Sequence, residues 1–281
     1  STQALAEWGR MADDFVQVPL DQAHMISDGD CGAWVVGENR GSTTIHHIDW
    51  RGSISWDTVG VVSFNLANGS FHPVVSTIGD LLITARAAYP QDGNEWHKIL
   101  AQRVNRDGEN MWGMRGIWVD SVYGDHQIAG ALADNEGGFY VLASHGWDSE
   151  VRGYSSPYLQ RISRDGELQF GPSGVDIGWS TMKIETSAKR FRVPMISDGT
   201  GGAIILANEG SRADRRMRLQ RISPEGELLW GGDGVYLDSI PHPPNVAISD
   251  GSGGTVFSFL TIGRTNDQQV YQMMVARVNA E

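Results

Sequence analysis

The stretch RLQRISPEGELLWGGDGVYLDSI (Arg218–Ile240) is nearly a second copy of YLQRISRDGELQFGPSGVDIGW (Tyr158–Trp179), which lies 60 residues earlier. Both open on Leu-Gln-Arg-Ile-Ser and turn at Glu225-Gly226 or Asp165-Gly166. Both then reach an aromatic-glycine pair (Trp230-Gly231, Phe170-Gly171) and close on Gly-Val with a short apolar run. Self-similarity at a period of roughly 50 residues marks a repeat architecture.

A second phrase precedes the first. MISDGDCGAWVV (Met25–Val36), MISDGTGGAIIL (Met195–Leu206) and AISDGSGGTVFSF (Ala247–Phe259) share Ile-Ser-Asp-Gly, a pair of small residues and an apolar run. ALADNEGGFYVL (Ala131–Leu142) is a looser copy, and VVSTIGDLLIT (Val74–Thr84) is the loosest, with Thr77 standing for the lost Asp. The opening positions Asp28, Thr77, Asp134, Asp198 and Asp250 are therefore 49, 57, 64 and 52 residues apart.

Each unit reads as four short strands: the run after Asp-Gly-x-Gly-Gly, the Leu-Gln-Arg-Ile run, a third ending in Trp-Gly, and a fourth opened by Gly-Val. The segments are short, β-branched or aromatic, and bounded by Gly, Asp, Asn or Pro, as strands are. Four antiparallel strands repeated radially make a β-propeller blade. After Asp250 only two strands remain, whereas LAEWGRMADDFVQVPL (Leu5–Leu20) carries a spare Trp8-Gly9 pair and a further apolar strand. The expectation is an all-β, five-bladed propeller spanning residues 1–281 as one domain. Its last blade is closed by strands from both termini, which removes the open edge.

These units resemble a group of repetitive bacterial secreted proteins built from Asp-Gly-x-Gly-Gly, Leu-x-Gln-Arg-Ile, Asp-Gly and Trp-Gly. The resemblance covers essentially the whole chain. It implies a propeller and no particular activity.

Composition bounds the rest. The chain has 40% hydrophobic and 20% charged residues, enough apolar surface for a core, and its 35 glycines follow no collagen period. A net charge of −12 without a basic cluster excludes nucleic acid as a partner. No run approaches the roughly 18 apolar residues of a membrane helix. The single cysteine, Cys31, forms no internal disulfide and reads as a small buried apolar group. The chain opens at Ser1, consistent with removal of an export signal or with trimming; export and a monomer are the expectation.

What recurs in every unit serves the unit. Asp28, Asp134, Asp198 and Asp250 read as Asx-turn acceptors, since one carboxylate per blade is too few for calcium. Arg103, Arg161, Arg221 and Arg277, with His47 in the first unit, read as partners of a carboxylate or carbonyl between blades. Trp8, Trp56, Trp112, Phe170 and Trp230 read as wedges between blades.

Function is sought where the repeat breaks. The connections between blades hold His24, His72, His126 and His242, each from a different blade and expected to approach the ring axis. With Asp125 nearby they can hold one divalent metal, act as acid and base, or never meet. Tyr123, Lys189 and Arg192 lie in the same connections, and Trp179 is expected to wall the axial pocket. The hairpins Ala87–Lys98 and Ser144–Tyr158, with Trp96 and Trp147, are assigned to the opposite face as stacking or docking loops.

A multivalent lectin would repeat its loops, but here the strands agree and the loops differ. The expected function is a single-site propeller that binds or acts on a glycan or another small polar ligand. A polysaccharide lyase fits the His, Tyr and Arg set; a glycosidase needs a carboxylate set that is not apparent. The alternative is a binding or scaffold module using the aromatic hairpins.

Overall fold

A computed structural model describes residues 20–39, 42–56, 61–64, 71–91, 94–122, 124–145, 147–148, 153–154, 157–179, 195–209, 216–237, 246–265 and 268–280. All regular structure among them is β, with no helix, and so none able to cross a membrane. Five antiparallel sheets follow one another along the chain. Sheet I holds β1 (Asp21–Ser27), β2 (Ala33–Asn39), β3 (Ser42–Ile48) and β4 (Val61–Phe64). Sheet II holds β5 (Phe71–Val75), β6 (Leu81–Gln91), β7 (Asn94–Val104) and β8 (Ile117–Trp118).

Sheet III pairs β9 (His126–Ala133), β10 (Phe139–His145), β13 (Pro157–Ile162) and β14 (Val175–Asp176), with β11 (Trp147–Asp148) and β12 (Gly153–Tyr154) as a small ladder in the β10–β13 hairpin. Sheet IV holds β15 (Met195–Ser197), β16 (Ala203–Glu209), β17 (Arg216–Ile222) and β18 (Val235–Leu237). Sheet V has three strands among the described residues, β19 (Val246–Ser249), β20 (Thr255–Thr265) and β21 (Gln268–Val278); Trp8-Gly9 lies outside them. The first strands touch in series, β1 with β5, β5 with β9, β9 with β15 and β15 with β19. Four apolar cores fill the spaces between successive sheets.

Four strands per unit holds in sheets I to IV, but the assignment of the strands is corrected. The first strand is the run before the Asp, such as Met195–Ser197, and the segment ending in Trp-Gly is a turn. It makes a single β-bridge in each of these four units, as in Ile222–Leu228 and Ile162–Leu168. The motif glutamine explains why. Gln160 donates from Nε2 to Gly171 O at 2.8 Å, and its Oε1 accepts the amides of Arg161 and Phe170. Gln102 binds Gly113 O and the Arg103 and Trp112 amides in the same way. Backbone groups that a strand would present to a neighbour are thus taken by a side chain.

The repeated aspartates do form Asx-turns: Asp198 Oδ1 accepts the amides of Thr200 and Gly202, both at 2.8 Å. Their second oxygen meets the motif arginine, as in Arg161–Asp134 at 3.1 Å and Arg221–Asp198 at 3.0 Å, with His47–Asp28 at 2.9 Å in sheet I. In sheet II the substitute is Ser76 rather than Thr77. Ser76 Oγ accepts the Asp80 amide, and Asp80, four residues on, supplies the carboxylate to Arg103 Nε at 2.7 Å. The capping oxygen and the charge are divided between two residues.

Sheets I to IV are each also locked to the next. Arg103 and Trp112 of sheet II both donate to Arg164 O of sheet III, at 3.0 and 3.1 Å. Arg161 reaches Pro224 O of sheet IV, and Arg221 and Trp230 reach Ala280 O beyond sheet V. The aromatic ring lies over a turn glycine of the following sheet: a Cβ on Gly108 would come 2.7 Å from the Trp56 ring, and one on Gly166 2.9 Å from Trp112.

Cys31 is exposed rather than buried, and it is the one non-glycine residue with positive φ (+64°) among the described residues. It sits in the first Asp-Gly turn where sister turns place Gly201 and Gly253, at φ +105° and +92°. A left-handed conformation costs an L-residue about 1–2 kcal/mol, offset in part by the greater chain entropy of glycine. Cys31→Gly is therefore expected to stabilise the protein by about 1 kcal/mol, seen as a raised denaturation midpoint at constant m-value.

Candidate functional site

Alternating strand direction fixes which ends meet. The first strand of each sheet runs down to the Asp-Gly turn, the second returns to a hairpin, the third descends again, and the fourth climbs to the connection. Hairpins and inter-sheet connections therefore share one end, here the hairpin end. The connections and the hairpins, expected on opposite faces, lie on the same face, because the Trp-Gly segment is a turn and not a strand. Direct contacts show it: Arg86 of β6 donates to both oxygens of Asp125, at 2.7 and 2.9 Å, and to His126 O at 2.9 Å. His97 Nδ1 of β7 lies 2.9 Å from Asp125 Oδ1. Asp125 is thus a brace between the β6–β7 hairpin and the connection into sheet III.

Below this brace, in the gap between sheets II and III, lies a buried polar set. Asp120 leaves sheet II after β8, His126 opens β9, and Tyr158 stands on β13. His126 Nδ1 is 3.2 Å from Asp120 Oδ2 and 3.4 Å from the Tyr158 hydroxyl, and the Tyr158 hydroxyl donates to Asp120. His145 stacks on His126 with ring centroids 5.8 Å apart and meets Tyr158 edge-on. Burial pushes the Asp120 carboxyl up, but hydrogen bonds from His126, Tyr158 and the Val122 amide outweigh it and hold the group below the ordinary range. Burial, then the Asp120 charge, raises the Tyr158 phenol well above its usual value. Burial and neighbouring His126 lower His145. The set offers an ionised carboxylate, an imidazole and a neutral phenol.

His126 reaches this gap through a β-bulge. Leu142 pairs with Gly130 and Ala143 with Ile128, so Ala129 is the extra residue. Ala129 packs into the core between sheets III and IV, while Ile128 packs into the core between II and III. One inserted residue flips the strand's parity and turns His126 towards sheet II.

The histidines are partly brought together. His72 pairs with Thr84, and Val74 on the same strand face packs into the II–III core, so His72 faces the gap that His126 faces from the other side. His24 shares its strand face with Ile26, which packs between sheets I and II, so it stands one gap away. His126 is buried within sheet III, with no exposed surface, and is not a residue of a loose loop. Among the described residues no three of His, Cys, Asp and Glu come together as a metal site.

Trp179 is corrected from pocket wall to core: it is 3% exposed and packs between sheets III and IV, its ring 5.2 Å from the Arg218 guanidinium. Trp96 and Trp147 pair with Tyr89 and Tyr154 at the hairpin end. Tyr123, Lys189, Arg192 and His242 lie outside the described residues. The sequence does not single out Arg86, and His97, His145 and Tyr158 stand in it only as members of the hairpins Ala87–Lys98 and Ser144–Tyr158.

No protein-family model matches the chain, and no curated protein matches it. Solved structures similar to it include an α-L-arabinofuranosidase from Lactobacillus brevis (10% identity, 94% of each chain covered, TM-score 0.39). An endo-arabinase from Bacteroides thetaiotaomicron shares 13% identity over 93% of this chain and 95% of that one, with a TM-score of 0.41. A PQQ-bound aldose sugar dehydrogenase from Streptomyces coelicolor shares 12% over 92% and 81%, with a TM-score of 0.34. Likeness at this distance assigns the chain neither a fold nor an activity.

Proposed function

We propose that the chain is one five-bladed propeller, closed by strands from both termini, which binds or acts on a glycan at a single site on its hairpin end. The observation that supports a single site is the bracing of Asp125 by Arg86 and His97. It draws a hairpin and a connection, the two kinds of segment that break the repeat, onto one rim. A lectin with a site in each blade would repeat those segments, and here they differ while the turns at the other end agree.

Within this reading Trp96 and Trp147 are the candidates for stacking on sugar rings, and Asp120, His126 and Tyr158 are the candidates for acid–base work. That chemistry suits a lyase or a glycosidase. His24 and His72 belong to the same rim by their place in the chain; Tyr123, Lys189, Arg192 and His242, outside the described residues, are kept as candidates for the same site. Export and a monomeric state accompany the proposal. A purely binding role for the aromatic hairpins now concerns the same rim and differs only in lacking turnover.

The test is calorimetric titration with neutral and acidic oligosaccharides, arabinose-containing ones included. Trp96→Ala and Trp147→Ala are expected to weaken binding about tenfold each, or ~1.4 kcal/mol. Met114→Ala, on an exposed outer turn, should leave binding unchanged. No binding across the panel, or binding indifferent to both tryptophans, overturns the proposal.

A further inference from the structure

Three side-chain atoms buried between sheets II and III have no hydrogen-bond partner: Thr84 Oγ1, His126 Nε2 and His145 Nδ1. All three face the same gap. Thr84 lies between Leu82, which packs into the II–III core, and Arg86, which reaches His126 O, so it points at sheet III. His126 and His145 are directly paired across β9 and β10 and share the face turned to sheet II. A buried polar atom without a partner forfeits its hydration with no return, so folded proteins keep such atoms where water or a ligand meets them. The bulge at Ala129 is an independent pointer, because without it His126 would face sheet IV.

We infer that the hairpin end of this gap is a binding site for a hydroxyl donor, with His126 Nε2 as the acceptor and Thr84 and His145 as further contacts. Asp120 is the positioning residue. By accepting the Nδ1 hydrogen it leaves Nε2 with its lone pair in the neutral ring. The chemistry favours a neutral alcohol. An anionic ligand would meet the carboxylates of Asp120 and Asp125, and a metal would find two imidazoles without a third ligand among the described residues. Water and a sugar hydroxyl share this chemistry, and only the second rests on the glycan reading.

The experiment uses the full chain with 15N-labelled histidine. Contacts between water and His126 are observed by NMR before and after adding glycerol or an arabino-oligosaccharide, and Thr84→Val is compared with wild type in thermal unfolding. Water contacts at His126 that disappear on adding the saccharide assign the hydroxyl to the ligand; contacts that persist assign it to resident water. Either way Thr84→Val, which removes a contact while keeping the shape, should lower Tm by about 2–4 °C. Asp120→Asn should move hydrogen from Nδ1 to Nε2 of His126, read as an exchange of the two ring 15N shifts, a change that a merely structural carboxylate would not produce. No water or ligand contact at His126, together with an unchanged or raised Tm for Thr84→Val, would mean a dry gap and end the inference. A failure of the glycan reading alone leaves the water contacts and the Thr84→Val result in place.

Discussion

Trp112→Ala is expected to lower the unfolding free energy by about 3–5 kcal/mol, as large-to-small changes of buried aromatics do. The ring is 8% exposed, stacks on Phe139 of the next sheet with centroids 5.9 Å apart, and covers Gly166. Its Nε1 also donates to Arg164 O. Truncation therefore opens a cavity between sheets II and III and leaves Arg103 as the remaining donor to that carbonyl. Against a total stability of about 5–15 kcal/mol, the loss is a large fraction. Trp112→Phe separates the two contributions, since sheet III itself places Phe170 at this position without an N–H. That variant should cost about 1–2 kcal/mol, the hydrogen bond and some packing. Denaturant unfolding checks both, read as a shift in midpoint at constant m-value. A loss below about 1 kcal/mol for the alanine variant would show that the ring does not hold the sheets together.

The repeated phrases carried the antiparallel all-β unit, the Asx-turns and the Asp–Arg pairs, because each is a local arrangement written into one unit. The third segment misled because Leu228, Leu229 and Trp230 have strand-like side chains. The residue that makes this segment a turn, Gln220, lies in the strand before it and binds Gly231 O. That single miscount moved the hairpins to the wrong face. At the site, loops that break the repeat are legible in the sequence, but one decisive break is inside a strand. Two residues before the motif glutamine, sister units hold Leu100, Tyr158 and Arg218. Of the three, Tyr158 alone sets a hydroxyl on the buried carboxylate of Asp120, whereas Arg218 reaches the exposed Asp233. The orientation of His126 was hidden because a bulge has no residue code of its own; Gly130 within β9 is its one trace.

Trp8→Ala in the full chain is the second large effect, about 2–4 kcal/mol, and it follows from the lock between sheets. Trp56 lies over Gly108, Trp112 over Gly166 and Phe170 over Gly226, each aromatic covering a glycine of the following sheet. The series continues from sheet V to sheet I only if an aromatic covers Gly52, whose turn has the same Gly52–Asp49 hydrogen bond, at 3.0 Å, and a φ of +82°. Trp8 is the spare Trp-Gly residue. Two features of sheet V fit a partner supplied by the N-terminal segment. Arg277 is 57% exposed where Arg103, Arg161 and Arg221 are 7–14%. Val246, Ile248, Met273 and Val275 are also exposed on one face of the sheet. Gly52→Val destabilises through its left-handed backbone in any case, so the informative quantity is the coupling. If Trp8 covers Gly52, the double variant should be less destabilised than the sum of the singles by about 0.5–3 kcal/mol. Strict additivity, with Trp8→Ala costing under about 0.5 kcal/mol as changes at free surface positions do, would leave the ring open between sheets V and I.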